Sequence, residues 1–198
     1  MSRHEPVPLH ERAADNLRFI RNTMERSSSF TAVPGAGGMA MGAVALVAAA
    51  LASRARVGGA DAWLRVWLVC LAVAVLLGGT ALVIKARRVG SPLFRGAARK
   101  FALNMLPALV AGALLTVALV RWGVPYALPG VWMLLYGAGV AAGGAFSVPA
   151  VPVLGALFMI AGGVTLFLPV GAGDLMMALA FGGLQLGFGW LIARRHGG

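Results

Sequence analysis

Charge is scarce in this chain, and the charged residues that are present lie in clusters. Only 12% of the 198 residues are Asp, Glu, Lys or Arg, whereas soluble domains carry roughly 25%. Sixty per cent of the residues are hydrophobic, and the mean hydropathy is +0.85. This composition argues against a water-soluble globular domain, because such a domain needs charges spread over its whole surface.

Metal-ligating and redox-active side chains are equally rare. The three histidines, His4, His10 and His196, lie in terminal segments, and the single cysteine, Cys70, lies within an apolar run. One cysteine closes no intrachain disulfide and forms no cysteine cluster for a metal. Composition therefore excludes haem or chlorophyll held by histidines inside the apolar runs, and also a zinc site there. We expect no cofactor and no metal.

Long apolar runs are what the chain has in abundance. Six of them lie at about 33–52, 63–84, 103–120, 129–146, 149–168 and 175–193. A bilayer core about 30 Å thick needs roughly 20 apolar residues per helix. The runs are continuously apolar and do not alternate, which favours helices over a barrel. The sequence predicts an all-α integral membrane protein with six transmembrane helices.

None of these runs has an ionisable residue well inside it. Transporters coupled to protons or sodium usually carry a carboxylate in the membrane, so this class is disfavoured. We also find no constellation of nucleophile, acid and base, and therefore expect no enzyme. Gln185, in the middle of the sixth run, is polar but neutral. Its predicted role is an interhelical hydrogen bond that strengthens helix packing.

The distribution of basic residues predicts the orientation. Of the seventeen Lys and Arg residues, five lie in the N-terminal segment, six in the connection between runs two and three, and two in the tail. The other side carries four: Arg54, Arg56, Arg65 and Arg121. By the positive-inside rule, both termini are cytoplasmic. The net charge of +11 has the same explanation, so we expect no nucleic-acid partner.

The N-terminal segment differs from the rest of the chain. We divide the protein into a cytoplasmic segment at 1–32, a six-helix bundle at 33–193 and a cytoplasmic tail at 194–198. Ala13, Leu17, Ile20 and Met24 are spaced along one helical face, which predicts an amphipathic helix. We interpret Leu17, Ile20 and Met24 as a cytoplasmic docking stripe; a solvated extension without a role is the alternative.

Glycine pairs spaced four residues apart indicate where helices pack closely. These are Gly38 with Gly42, Gly139 with Gly143, and Gly183 with Gly187. We predict packing there, within the bundle or against other membrane chains. Asp174, just before the sixth run, is placed to cap its helix.

The stretch HERAADNLRFIRNTMERSSSFTAVPG at residues 10–35, followed by helices of small residues, resembles a group of short bacterial multi-pass membrane proteins. The resemblance implies a bacterial cytoplasmic (inner) membrane location. It implies no named functional family, activity, cofactor or catalytic residue.

These observations favour a non-enzymatic accessory or regulatory subunit of a larger inner-membrane complex, with the lipid bilayer and other membrane chains as its partners. The alternative is a small uncoupled carrier or channel-like protein that works as a homo-oligomer. In that case Gln185 and Asn104 would line the path of the transported molecule through the membrane.

The charge distribution makes a topological prediction. Reporter domains fused at residue 90 and at the C-terminus should both report the cytoplasm, because most basic residues lie on that side. A fusion at Gly123 should report the opposite side. An exchange of side at any of the three positions would contradict the six-span topology.

Overall fold

The computed structural model describes residues 16–17, 34–88, 96–145 and 147–196, which are almost entirely helical. Five helices precede the last span: α1 (Gly35–Ala55), α2 (Ala60–Arg88), α3 (Gly96–Arg121), α4 (Leu128–Gly144) and α5 (Ala150–Phe167). The sixth span is continuous but mixed. It consists of α6 (Gly173–Met177), a π-helical segment (Ala178–Leu184) and α7 (Gln185–His196).

The six helical spans confirm the predicted architecture. Their bounds are Gly35–Gly58, Ala60–Lys85, Arg99–Arg121, Pro125–Gly144, Ala150–Phe167 and Val170–Arg195, with lengths of 18 to 26 residues. Each is long and apolar enough to cross a membrane. The chain is therefore an all-helical, multi-pass membrane protein.

The two ends of the bundle differ in their connections. One end, which we call the turn end, holds three short 3₁₀ turns at Arg56–Gly58, Pro125–Ala127 and Val170–Ala172. Gly59 follows the first turn with φ of 93°, a conformation that glycine adopts without steric cost. The opposite end, which we call the basic end, contains the start of α1 and the C-terminal end of α7.

Two antiparallel helix pairs form the centre of the bundle. α4 packs along α5, and α1 packs along the π-helical segment and α7. α2 lies mainly against α1, and α3 mainly against α4. Among the described residues, the largest fully buried side chains are those of Phe158, Leu128, Met133, Met177 and Pro129.

Glycines let the backbones of α4 and α5 approach directly. A Cβ atom at Gly137 would lie 2.6 Å from the carbonyl oxygen of Gly155, and one at Gly155 would lie 2.7 Å from that of Gly137. Gly130 and Gly162 form an equivalent reciprocal pair, at 3.0 and 2.7 Å. No side chain larger than hydrogen fits at such distances. We call this contact the α4–α5 glycine seam.

α1 and the sixth span repeat the arrangement. A Cβ at Gly35 would lie 2.5 Å from the carbonyl oxygen of Gly189, and one at Gly189 would lie 2.8 Å from that of Gly35. A Cβ at Gly42 would lie 2.9 Å from the carbonyl oxygen of Gly182. On all four helices the two seam glycines are seven residues apart. A repeat of seven keeps one face directed at an antiparallel partner over two turns, because it corresponds to 3.5 residues per turn.

Most of the predicted N-terminal amphipathic helix lies outside the described residues. Asn16 and Leu17 are helical, and Leu17 is exposed. Ile20 and Met24 are not among the described residues, so the docking stripe stays a prediction.

The glycine seams predict that one methyl group has very different effects at two adjacent positions. Gly162→Ala should destabilise the bundle by about 1–3 kcal/mol, because its Cβ would lie 2.5 Å from the backbone nitrogen of Leu134. Gly163→Ala is the matched control, since a Cβ there meets no atom within 4 Å. Unfolding of both variants in mixed micelles would measure the difference. Equal stability would contradict the seam.

Candidate functional site

The turn end contains a charged contact between residues that are distant in sequence. Arg56 lies in the 3₁₀ turn after α1, and Asp174 lies in the first turn of α6. The Nε atom of Arg56 donates a hydrogen bond to Oδ2 of Asp174, which makes the contact both a hydrogen bond and a salt bridge. Asp174 is buried, whereas the Arg56 side chain is 31% exposed. It joins the end of the first span to the start of the sixth.

Trp63, at the start of α2, completes the environment of the carboxylate. Its indole Nε1 donates a hydrogen bond of 2.6 Å to Oδ1 of Asp174. The Arg56 guanidinium lies over the Trp63 ring, 5.2 Å from its centroid, at a distance where cation–π attraction operates. Both carboxylate oxygens thus have donors, and the charge has a cation beside it.

The contact extends across the bundle through a second tryptophan. Trp132 of α4 stacks on Trp63, with ring centroids 5.7 Å apart and planes 9° from parallel. Its Nε1 donates to Oγ1 of Thr116 on α3 at 2.8 Å, and Thr116 donates to the carbonyl of Gly112. Arg56, Trp63, Asp174, Trp132 and Thr116 form what we call the turn-end network.

The turn-end network corrects one prediction and adds a site. Asp174 does not cap the sixth helix: Ala172 occupies the N-cap position, no side chain caps it, and the Asp174 carboxylate binds Arg56 and Trp63 instead. One signal could have found this pair. After residue 25 the sequence contains only two acids, Asp61 and Asp174, and the six-span topology places Asp174 at the same end as Arg56.

A second polar contact lies deeper in the bundle. Gln185 is buried, and its Nε2 donates a hydrogen bond of 2.5 Å to the hydroxyl of Tyr136 on α4. The Tyr136 ring contacts Phe158 and Phe181, with centroids 4.8 and 5.2 Å away, and these two rings lie 4.9 Å apart. The amide therefore joins the sixth span to α4 beside an aromatic cluster.

The π-helical segment ends directly before Gln185. Single π turns within α-helices are rare and frequently occur at functional sites. The wider turn changes the direction around the helix axis in which Gln185 points relative to Asp174, compared with an unbroken α-helix. Hydrophobic periodicity could not reveal it, because the sequence around Ala178–Leu184 is apolar or glycine on every face.

The predicted packing glycines occupy different environments. A Cβ at Gly38 would lie 3.3 Å from the Cα atom of Gly189, and Gly42 belongs to the seam between α1 and the sixth span. Gly139 and Gly143 face α3: a Cβ at Gly139 would lie 3.1 Å from Ala108, and one at Gly143 would lie 3.0 Å from Phe101.

Gly183 and Gly187 point elsewhere. A Cβ at either position would meet no atom within 4 Å, so no helix in the described part of the chain packs on them. The predicted packing on Gly183 and Gly187 therefore stays a prediction. The sixth span instead uses Gly182 and Gly189, which the four-residue spacing rule did not select.

The described residues contain no group of three His, Cys, Asp or Glu side chains that could hold a metal ion. No family model, no curated protein and no solved structure matches this chain. The six spans define its class as a multi-pass helical membrane protein, and its function has to be argued from its own geometry.

The turn-end network predicts that Asp174 stabilises the bundle. Asp174→Asn should lower the free energy of unfolding by roughly 1–3 kcal/mol, because the partly exposed Arg56 loses its counter-charge and one of the two buried side-chain oxygens becomes an amide nitrogen. Asp61→Asn is the control, since Asp61 is exposed at the same end, and should change stability by less than about 0.5 kcal/mol.

A double-mutant cycle separates the pair from its surroundings. Arg56→Gln combined with Asp174→Asn should cost less than the sum of the single changes, because each single change leaves one partner unmatched. Additive losses in the same micelle unfolding assay would show that the two side chains do not interact.

Proposed function

We propose that this protein is a non-enzymatic accessory or regulatory subunit of a larger complex in the bacterial cytoplasmic membrane. In this proposal both termini are cytoplasmic, and the protein works through lateral contact between helices. The accessible faces of its outer helices are therefore the functional surfaces.

The observation that carries the proposal is the open face of α3. None of the residues in the most apolar window of this span is buried, because α3 packs mainly on α4. Because α3 is packed along one side, the rest of its surface is accessible to lipid or to another chain.

Polar groups on α3 favour another chain over lipid alone. Asn104 is exposed and lies one helical turn after Lys100, about 6 Å further along the helix axis. Its Nδ2 atom donates a hydrogen bond of 2.8 Å to the Lys100 carbonyl. Within the described chain its amide oxygen has no partner. Pro107 lies within the same helix and offers no N–H to the Leu103 carbonyl one turn back. Polar groups of this kind gain a hydrogen bond when a neighbouring helix covers them.

The interior gives less support to the carrier alternative. Gln185 is buried against Tyr136, whereas Asn104 is exposed on α3 and bonded to its own helix. In the described structure the two amides therefore do not face a common path.

The proposal predicts that Asn104→Leu weakens assembly without unfolding the bundle. Loss of one interhelical hydrogen bond should reduce the retained partner about threefold to twentyfold. Native mass spectrometry of the complex purified in mild detergent measures it. Thr80→Val is the control, because the exposed Thr80 hydroxyl is bonded to its own helix at 2.8 and 3.0 Å.

The same measurement separates the two functions. A different membrane chain present in stoichiometric amount supports the subunit proposal. A homo-oligomer without another chain supports the carrier alternative, and a monomer contradicts both.

A further inference from the structure

The basic end contains a cavity between the start of α5 and the end of α7. Its volume is about 300 Å³, and it is lined by Pro149, Ala150, Leu191, Ile192 and Arg195. Four of the five side chains are apolar, and the fifth carries a positive charge. This size is at the lower end of the range of small-molecule sites.

The floor of the cavity is a well-packed cluster. Ile192 is buried together with Val140, Val148 and Val151, and Ala150 packs against them. The cavity therefore does not continue through the bundle at this point. It is a recess that opens near the level where the spans leave the membrane.

Among the described residues, no acidic side chain lies at the basic end. Asp61 and Asp174 are the only acids in the described residues, and Asp174 belongs to the turn end, as does Asp61 at the start of α2. The N-terminus of α5 also begins at the cavity, so its helix dipole adds a partial positive charge. Pro149 and Pro152 supply no N–H at this terminus, and the Val151 N–H bonds to the Val148 carbonyl. Arg195 supplies the charged donor for a bound anion.

The two arginines at the end of α7 have different partners. The Arg194 guanidinium lies over the Trp190 ring, 4.7 Å from its centroid. Trp190 is half exposed, as expected of a tryptophan at a membrane interface. Arg195 instead lines the cavity. Neighbouring residues of the same type thus differ in whether they can contact a molecule in the recess.

We propose that this cavity binds the headgroup of one anionic phospholipid, with Arg195 on the phosphate and the glycerol region against Pro149, Ala150 and Leu191. Basic pockets between membrane helices hold such headgroups. The apolar lining favours a lipid over a free ion, because a free ion gains nothing from Leu191 or Pro149. The proposal does not depend on the protein being a subunit of a complex.

The test uses the full-length chain in lipid-free detergent and native mass spectrometry. Phosphatidylglycerol is added to the wild type, to Arg195→Gln and to Arg194→Gln, and phosphatidylcholine with the same acyl chains is the neutral comparison. Arg195→Gln should weaken phosphatidylglycerol binding about fivefold, and Arg194→Gln should change it by less than about twofold. Ala150→Trp, which fills the recess and keeps its charge, should also weaken binding.

Several results would overturn the proposal. Equal losses for the two arginine variants would mean a diffuse surface charge. Equal binding of phosphatidylcholine, whose phosphate is balanced by choline, would mean that the cavity does not select anionic lipids. Competition by inorganic phosphate as strong as that by the lipid would make the recess a simple anion site. If Arg195→Gln alters protease sensitivity of residues 1–32 but not lipid binding, the N-terminal segment is the occupant. Circular dichroism establishes that each variant is folded.

Discussion

Direct contact between helix backbones is the constraint on which the rest of this bundle depends. Within a membrane, apolar side chains gain little from leaving lipid, so helices associate through close packing and polar contacts. Here the closest packing runs along two glycine seams, one between α4 and α5 and one between α1 and the sixth span. In three of the four glycine pairs the approach is reciprocal, with the Cβ position of each glycine 2.5–3.0 Å from the carbonyl oxygen of the other. Such close approach favours weak Cα–H···O contacts in addition to dispersion. α2 packs on the outside of one pair through α1, and α3 packs on the outside of the other through α4.

The polar contacts complement the seams because they join different elements. The turn-end network ties the first span to the sixth through Arg56 and Asp174, and reaches α4 and α3 through two tryptophans. Gln185 ties the sixth span to α4 at a deeper level. A buried ion pair gains little net stability over an apolar pair of equal volume, since desolvation offsets the attraction. Its effect is specificity: one arrangement satisfies the Asp174 carboxylate, whereas a shifted sixth span would leave it without donors.

The sequence was sufficient for the number of spans, because about twenty consecutive apolar residues have few alternatives in a bilayer. It was insufficient for the pairing of helices. The glycine pairs four residues apart were the obvious candidates, yet no described helix packs on Gly183 or Gly187, and the seams use a spacing of seven. The difference has a physical origin: small residues occur on several faces of every helix, and only the partner determines which face is used. Asp174 and Arg56 were separated by more than a hundred residues, so no local pattern joined them.

The π-helical segment also bears on how this chain could have changed over time. A π turn holds one residue more than the α turn that it replaces, so it is the form that a single-residue insertion takes when both flanking helices keep their contacts. In this protein the contacts on its two sides are Asp174 with Arg56 and Gln185 with Tyr136. Removal of one residue from Ala178–Leu184 would rotate one of these side chains by about 100° relative to the other. The length of the sixth span is therefore coupled to its two polar contacts, because a chain one residue shorter there could not keep both pairs in register.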